Sequence, residues 1–229
     1  MPYTTFVINL ARRPDRMRRF LAQIDERAIR IVRVEAVDGL NDHGLVHQHS
    51  LVDPVTAAVW MSHQRALKLF MASGEPYALI CEDDAQFGTL RLQEALPQLV
   101  RVMTDLEVDI LQIGYIDGSG TLFRVKRQLA LAVQHGIEVH EPTGISIRRR
   151  ATVGLQAYLV SRRAAASIVN LNQPVFLPAD GLFIELSKSQ ESFRRLRIAR
   201  TIPAMIHHAP LSSANWSDSL TNSRFERWE

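Results

Sequence analysis

Residues 77–87, YALICEDDAQF, run four apolar residues, Ala78 to Cys81, directly into three acids, Glu82, Asp83 and Asp84. A short apolar run bounded by turn signals reads as a buried strand. Ending such a strand in acids constrains the fold, because open α/β sheets bind ligands beyond the carboxyl ends of their strands. Three adjacent carboxylates repel one another, and partial burial worsens the repulsion. A divalent cation would relieve it. Hard carboxylate oxygens suit Mg²⁺ or Mn²⁺, usually one or two of them together with substrate phosphates. The competing reading is a solvated acidic turn after an edge strand, and a motif this short does not decide between them.

The flanking sequence supplies the rest of a sheet. TFVINL (5–10) is β-branched and apolar, and Pro14 in RRPDR is placed to open a helix. Met17, Phe20, Leu21 and Ile24 recur at helical spacing after it. IRIVRVEAVDG (29–39) reads as the next strand, closed by an Asp-Gly turn. A strand–helix–strand run with short links predicts a βαβ unit and parallel pairing. Residues 43–53 read as a loop. PVTAAVWMSHQRALKLFMAS (54–73) predicts a helix with Val55, Val59, Ala66, Leu67 and Phe70 on one face. Further strands are expected over 108–114, 154–160 and 196–205, and Ser161 is placed to cap a helix beginning RRAAASIV. Residues 115–150 read as less regular, with hairpin-like pieces around TLFRVKR and LALAV, and the tail from residue 207 reads as mostly irregular. No repeat or linker interrupts the chain, so one domain over 1–229 is the simplest organisation.

With 229 residues, 46% apolar and 22% charged, the chain can bury a sizeable core and is not a disordered one. A formal charge of +3 suits an anionic ligand without demanding nucleic acid. The basic runs at 148–150 and 194–197 lack aromatic interleaving, so no nucleic-acid partner is expected. One cysteine, Cys81, leaves no intramolecular disulfide and is consistent with a reducing compartment. The first apolar run is too short for a secretory leader, and no stretch approaches the roughly 20 residues that span a bilayer. A cytoplasmic protein is expected, with no transmembrane segment and at most peripheral contact at the inner face of the membrane.

Other residues carry chemistry of the same kind. Arg12, Arg13 and Arg16 follow the first strand at the start of a helix, where guanidinium groups and a helix N-terminus suit phosphate. A solvated basic helix face is the bland alternative. Asp38 in AVDG is a weak signal, since Asp-Gly is a common turn. His63 falls on the apolar stripe of its helix, where a satisfied core histidine is the ordinary reading.

In order and spacing, VINLARRPDRMRRF, EAVDG, MSHQRAL, YALICEDDAQF, GLQAYLVSRRAA and LPAD resemble glycosyltransferase family 25, the lipooligosaccharide and collagen galactosyltransferase-like enzymes. The resemblance covers roughly residues 5–185, and 115–150 contributes little to it. It implies an α/β fold of the GT-A type, a Rossmann-like sandwich with a mostly parallel central sheet flanked by helices. The donor half would cover about 1–115 and the acceptor and catalytic half about 116–229.

The resemblance further implies a metal-dependent, inverting transfer of a hexose, most simply galactose, from a UDP-sugar to a hydroxyl of a glycan or lipid-linked saccharide. Asp84 would ligate Mn²⁺ or Mg²⁺, with Glu82 facing the donor ribose or a metal-bound water. Asn9, Leu10, Arg13, Arg16, Asp38 and Asp83 would serve the nucleotide. Ser62 and His63 match a Ser-His pair, which raises His63 to a site residue, and Asp180 in LPAD would face the reacting centre as the base. Asp180 could instead be the N-cap of a following helix. Relatives often carry Gln after the late proline, whereas this chain has His207 and His208 after Pro203, so His208 could ligate the metal. SDS at 217–219 approximates a Ser-Asp-Ile of the relatives, which tend to run longer. The rival readings are a nucleotidyltransferase or phosphohydrolase, and a non-catalytic binder of nucleotide-sugars or carbohydrate.

Overall fold

The computed structural model describes residues 3–42, 51–116, 136–188 and 196–208. In chain order the elements are β1 (Thr4–Asn9), α1 (Pro14–Leu21), β2 (Arg30–Glu35), α2 (Pro54–Ser73), β3 (Tyr77–Glu82), β4 (Ala85–Gln86), α3 (Leu92–Asp105), β5 (Ile110–Gly114), β6 (Ile137–His140), β7 (Ile145–Arg148), β8 (Ala157–Ser161), α4 (Arg162–Ile168), α5 (Ala179–Lys188), β9 (Ile198–Thr201) and β10 (His207–His208). The expected loop at 43–50, the pieces TLFRVKR and LALAV, and residues 209–229 with the SDS motif lie outside the described residues.

Among the described residues, eight strands form one sheet in the order β2-β1-β3-β8-β5-β9-β7-β6. β1 pairs in parallel with both β2 and β3, and β5 pairs in parallel with β9. β8 runs antiparallel between β3 and β5, and β7 runs antiparallel to β9 and β6. Six of the eight strands therefore point one way, and the sheet is mostly parallel as expected. From β1 the chain moves outward to β2 and then returns to β3 on the other side. That reversal makes the carboxyl ends of β1 and β3 a topological switch point, the place where such sheets bind ligands.

Alternation along the strands builds two cores. Phe6, Ile8, Ile80, Ile110, Tyr158 and Val160 pack beneath α2, α4 and α5. Val7, Leu79, Cys81, Leu111, Ala157 and Leu159 pack beneath α1 and α3. The result is a three-layer α/β sandwich, which period-two patterning over a doubly covered sheet demands.

Several local readings hold and others shift. Pro14 opens α1, Ser161 Oγ caps α4 by accepting from Ala164 N at 3.1 Å, and α2 keeps its expected span. The buried face of α2 is centred on Trp60, Leu67 and Phe70, while Val59 is 38% exposed. Of the expected stripe, Val59 is the exposed member, because packing against the sheet and α4 turns the helix onto Trp60, Gln64 and Leu67. Helix α3 and the hairpin β6–β7 were not read from the sequence, and β10 adds to β4 in a separate two-stranded sheet.

Candidate functional site

Strand alternation divides the acid triplet. Glu82 ends β3 and shares its face with Ile80 and Tyr158, under α2 and α5. Asp83 extends the ladder through its N–H to the Ile8 carbonyl at 3.1 Å and turns toward α1. There Asn9 Nδ2 donates to Asp83 Oδ2 at 2.6 Å, and Arg16 Nη1 lies 3.4 Å from Asp83 Oδ1 and 4.0 Å from Asp84 Oδ2. Burial pushes the Asp83 carboxyl up to about 6, the Asn9 hydrogen bond opposes the rise, and the charge of Asp84 adds to it. Asp83 thus anchors the β1–β3 junction, with Glu82 and Asp84 half-buried on either side of it.

Asn9 is fully committed within the protein. It accepts from Arg33 Nε at 2.8 Å and donates to the Arg13 carbonyl at 2.9 Å as well as to Asp83. Leu10 is half-buried at the same strand end and accepts the Arg13 N–H at 2.9 Å. Arg13 grips Asp15 through two bonds of 2.9 Å. That grip holds the Asp15 carboxyl below the usual range, with help from Arg19. Asp38, beyond β2, accepts from Arg12 Nε at 2.7 Å. Burial raises Asp38, but the bonds from Arg12, Asn41 and the Leu40 N–H outweigh it and leave its pKa below the ordinary value. Arg13, Arg16, Asp38, Glu82, Asp83 and Asp84 therefore all lie at the carboxyl ends of β1, β2 and β3.

His63 is buried and lies beside Glu82. It is 1% exposed on α2, with Nε2 3.4 Å from Glu82 Oε1 and Nδ1 3.2 Å from the Tyr158 hydroxyl. Two acceptors facing each other would repel, so Nε2 carries the hydrogen toward the carboxylate and Nδ1 accepts from Tyr158. Burial and the charge of Glu82 hold the Tyr158 phenol well above its ordinary pKa, which keeps that donor in place. The neighbouring Ser62 is structural: its hydroxyl donates to the Ala58 carbonyl and accepts the Val37 N–H.

Because β8 is antiparallel, its first residues meet the carboxyl ends of β3 and β5. The loop before it binds Asp180. Asp180 Oδ2 accepts the Gly154 N–H at 2.9 Å, and Oδ1 accepts the Gly181 N–H at 2.8 Å. Helix α5 starts one residue earlier, at Ala179, so Asp180 sits inside the first turn and not at the N-cap. Two side chains set this arrangement, and the sequence reading missed both. The buried Gln112 amide bonds the carbonyls of Thr152 and Gly154 and the Thr152 N–H at 2.9–3.0 Å. Asn172, at a left-handed φ of 58° that Asn tolerates, ties down Phe176 and Leu177 ahead of α5. Glutamine and asparagine flanking glycine and proline were the only available signals, and they mark turns in general.

Among the described residues, no three His, Cys, Asp or Glu side chains converge as a metal-binding group. Glu82 and Asp84 nonetheless offer hard oxygens at one strand end, half-buried on either side of Asp83. Such a donor set fits a divalent ion shared with a diphosphate. The backbone of His208 pairs with Ala85, one residue from Asp84, while its side chain lies outside the described residues.

A family model described as glycosyltransferase family 25 (LPS biosynthesis protein) matches residues 3–183. Comparison with curated protein sequences gives no match. Among solved structures, the crystal structure of A197 from STIV aligns over 90% of this chain and 83% of that one, at 13% identity and a TM-score of 0.47. Among the described residues, no helix is long and apolar enough to cross a membrane.

Proposed function

Since the chain belongs to glycosyltransferase family 25, we propose that it transfers a hexose, most simply galactose, from a UDP-sugar to a hydroxyl of a glycan or lipid-linked saccharide, with inversion. The observation that carries this reading is the convergence of Glu82, Asp84 and Arg16 at the carboxyl ends of β1 and β3, with Asp180 held by the loop that leads into the neighbouring β8. Arg13, Arg16 and Leu10, at the entry to α1, would face the diphosphate and nucleotide, with Asp38 toward the ribose. Asn9 and Asp83 would hold these groups in register. Asp84, with Glu82 beside it and His208 opposite, would hold Mn²⁺ or Mg²⁺; the ion supplies positive charge to the leaving diphosphate.

Asp180 then has the role of base. Each of its oxygens accepts one backbone N–H and keeps a further lone pair for a proton. The acceptor oxygen attacks the anomeric carbon, the bond from that carbon to the diphosphate oxygen breaks, and the acceptor proton passes to Asp180. Departure of the diphosphate on the opposite side inverts the anomeric centre. His63 acts through Glu82, fixing the carboxylate by its Nε2–H.

Thermal denaturation with UDP, with Mn²⁺ and with both tests donor and metal together. At a hundredfold excess over Kd, a ligand specific for the native state adds about 2.7 kcal/mol. The joint shift should exceed the sum of the separate shifts, and Asp84→Asn should remove the excess. Equal UDP shifts in EDTA and in Mn²⁺ would refute the metal site. Release of UDP from UDP-hexoses, against release of pyrophosphate or phosphate, separates this reading from its enzymatic rivals.

A further inference from the structure

We infer that the side-chain amide of Gln156 binds a hydroxyl of the sugar being transferred and so helps to select the donor. The inference rests on the proposed use of a nucleotide-sugar. Gln156 lies directly across from Glu82, since Cys81 pairs with Ala157 and the Glu82 N–H donates to the Gln156 carbonyl at 2.9 Å. Residues opposed in this way project to the same face. Gln156 therefore stands on the Glu82, His63 and Tyr158 side of the sheet. On its other flank is Gly154, whose N–H holds Asp180.

The oxygen of that amide takes no part in the hydrogen bonding of the described residues. Gln156 is 4% exposed, and its Oε1 is buried with no hydrogen-bond partner among the described residues. Leaving a buried acceptor unsatisfied is costly. The neighbouring Gln112 shows what a structural glutamine looks like here: both ends of its amide are taken by the 152–154 loop. The residue beside the Gln156 oxygen has to be glycine. Gly154 has φ +87°, and a Cβ on it would come within 2.8 Å of Gln156 Oε1 and 2.7 Å of the Ile116 N.

The position identifies the ligand chemistry. The diphosphate belongs to the Glu82–Asp84 side and the base is Asp180, so a group between them faces the ring whose anomeric carbon reacts. Between two carboxylates, a neutral amide that both donates and accepts matches a hydroxyl, which does the same.

Titration calorimetry of the full chain in Mn²⁺ against UDP, UDP-galactose, UDP-glucose and their N-acetylhexosamine counterparts tests the assignment. Gln156→Met removes the amide at nearly constant volume, and Gln156→Ala removes it outright. For the sugar that wild type binds best, affinity should fall about tenfold in both variants, while UDP affinity stays within about twofold. The retained UDP binding reports that the variants are folded. Unchanged affinity for that sugar in Gln156→Met overturns the inference. Parallel loss of UDP and UDP-sugar also overturns it, because Gln156 would then be structural. A wild-type protein that binds neither UDP nor any of these sugars refutes the proposed function itself and this inference with it.

Discussion

At the scale of single residues, Asp180 is the sharpest case. Both of its oxygens accept backbone N–H groups, from Gly154 and from Gly181. Asparagine can reproduce only one of those bonds and would turn its own N–H groups toward the other donor. Asp180→Asn should therefore lower stability by about 1–2 kcal/mol, a cost readable as a modest drop in Tm. Transfer should fall far more, by about 10²–10⁴-fold, with UDP and Mn²⁺ binding retained. Near-normal transfer by the folded variant would remove Asp180 as the base. The residue itself was legible in LPAD, but its partners were not, because Gly154 is 26 positions away and meets it only through the turn held by Gln112. His63 shows the same limit: helical periodicity placed it on a buried face, and only the packing of α2 over β3 and β8 brought Glu82 and Tyr158 to its two nitrogens.

At the scale of elements, α2 is where local signals and packing can be separated. Asp53 caps it by accepting the Thr56 N–H at 3.0 Å, a local interaction that Asp53→Ala should remove at a cost of about 1 kcal/mol. Gly39 instead lets the turn after β2 lie against the helix start. A Cβ there would stand 2.6 Å from the Pro54 carbonyl oxygen and 2.7 Å from Val55 Cα, both backbone atoms that cannot rotate away. Gly39→Ala should cost more than Asp53→Ala, about 2–3 kcal/mol, in urea unfolding with an unchanged m value. The span of α2 followed from Pro54 and from Gly74, which takes the left-handed conformation at the C-terminus. Its buried face did not, because helix α4 and the sheet cover it from two directions.

At the scale of the molecule, Asp109 joins elements that are distant in sequence. It is 5% exposed and accepts two bonds of 2.6 Å from Arg163, one from the Arg197 N–H at 2.9 Å and one from Ser161 Oγ at 3.4 Å. This carboxylate links β5 to the start of α4 and the approach to β9. Asp109→Ala should lower stability by about 2–3 kcal/mol, with Arg163→Ala costing less because that guanidinium is largely solvated and relaxes into water. Chemical denaturation of the two variants checks the order, and an equal loss in both would contradict it.

The sequence by itself determined the class of the protein. A buried run ending in Glu82-Asp83-Asp84, a βαβ start with arginines behind its first strand, and β-branched runs between helical stripes are local patterns, and local patterns survive without knowledge of the partner strands. The tertiary structure decided the strand order, in which β8 enters antiparallel between β3 and β5 and carries Gly154, Gln156 and Tyr158 to the acidic edge. Pairing between strands more than 70 residues apart depends on which faces fit, and a period-two pattern says only that a strand has two faces. That is also why the triplet could be found from the sequence but not divided: one carboxylate faces His63, the next is locked to Asn9, and the side each takes is set by the neighbouring strands.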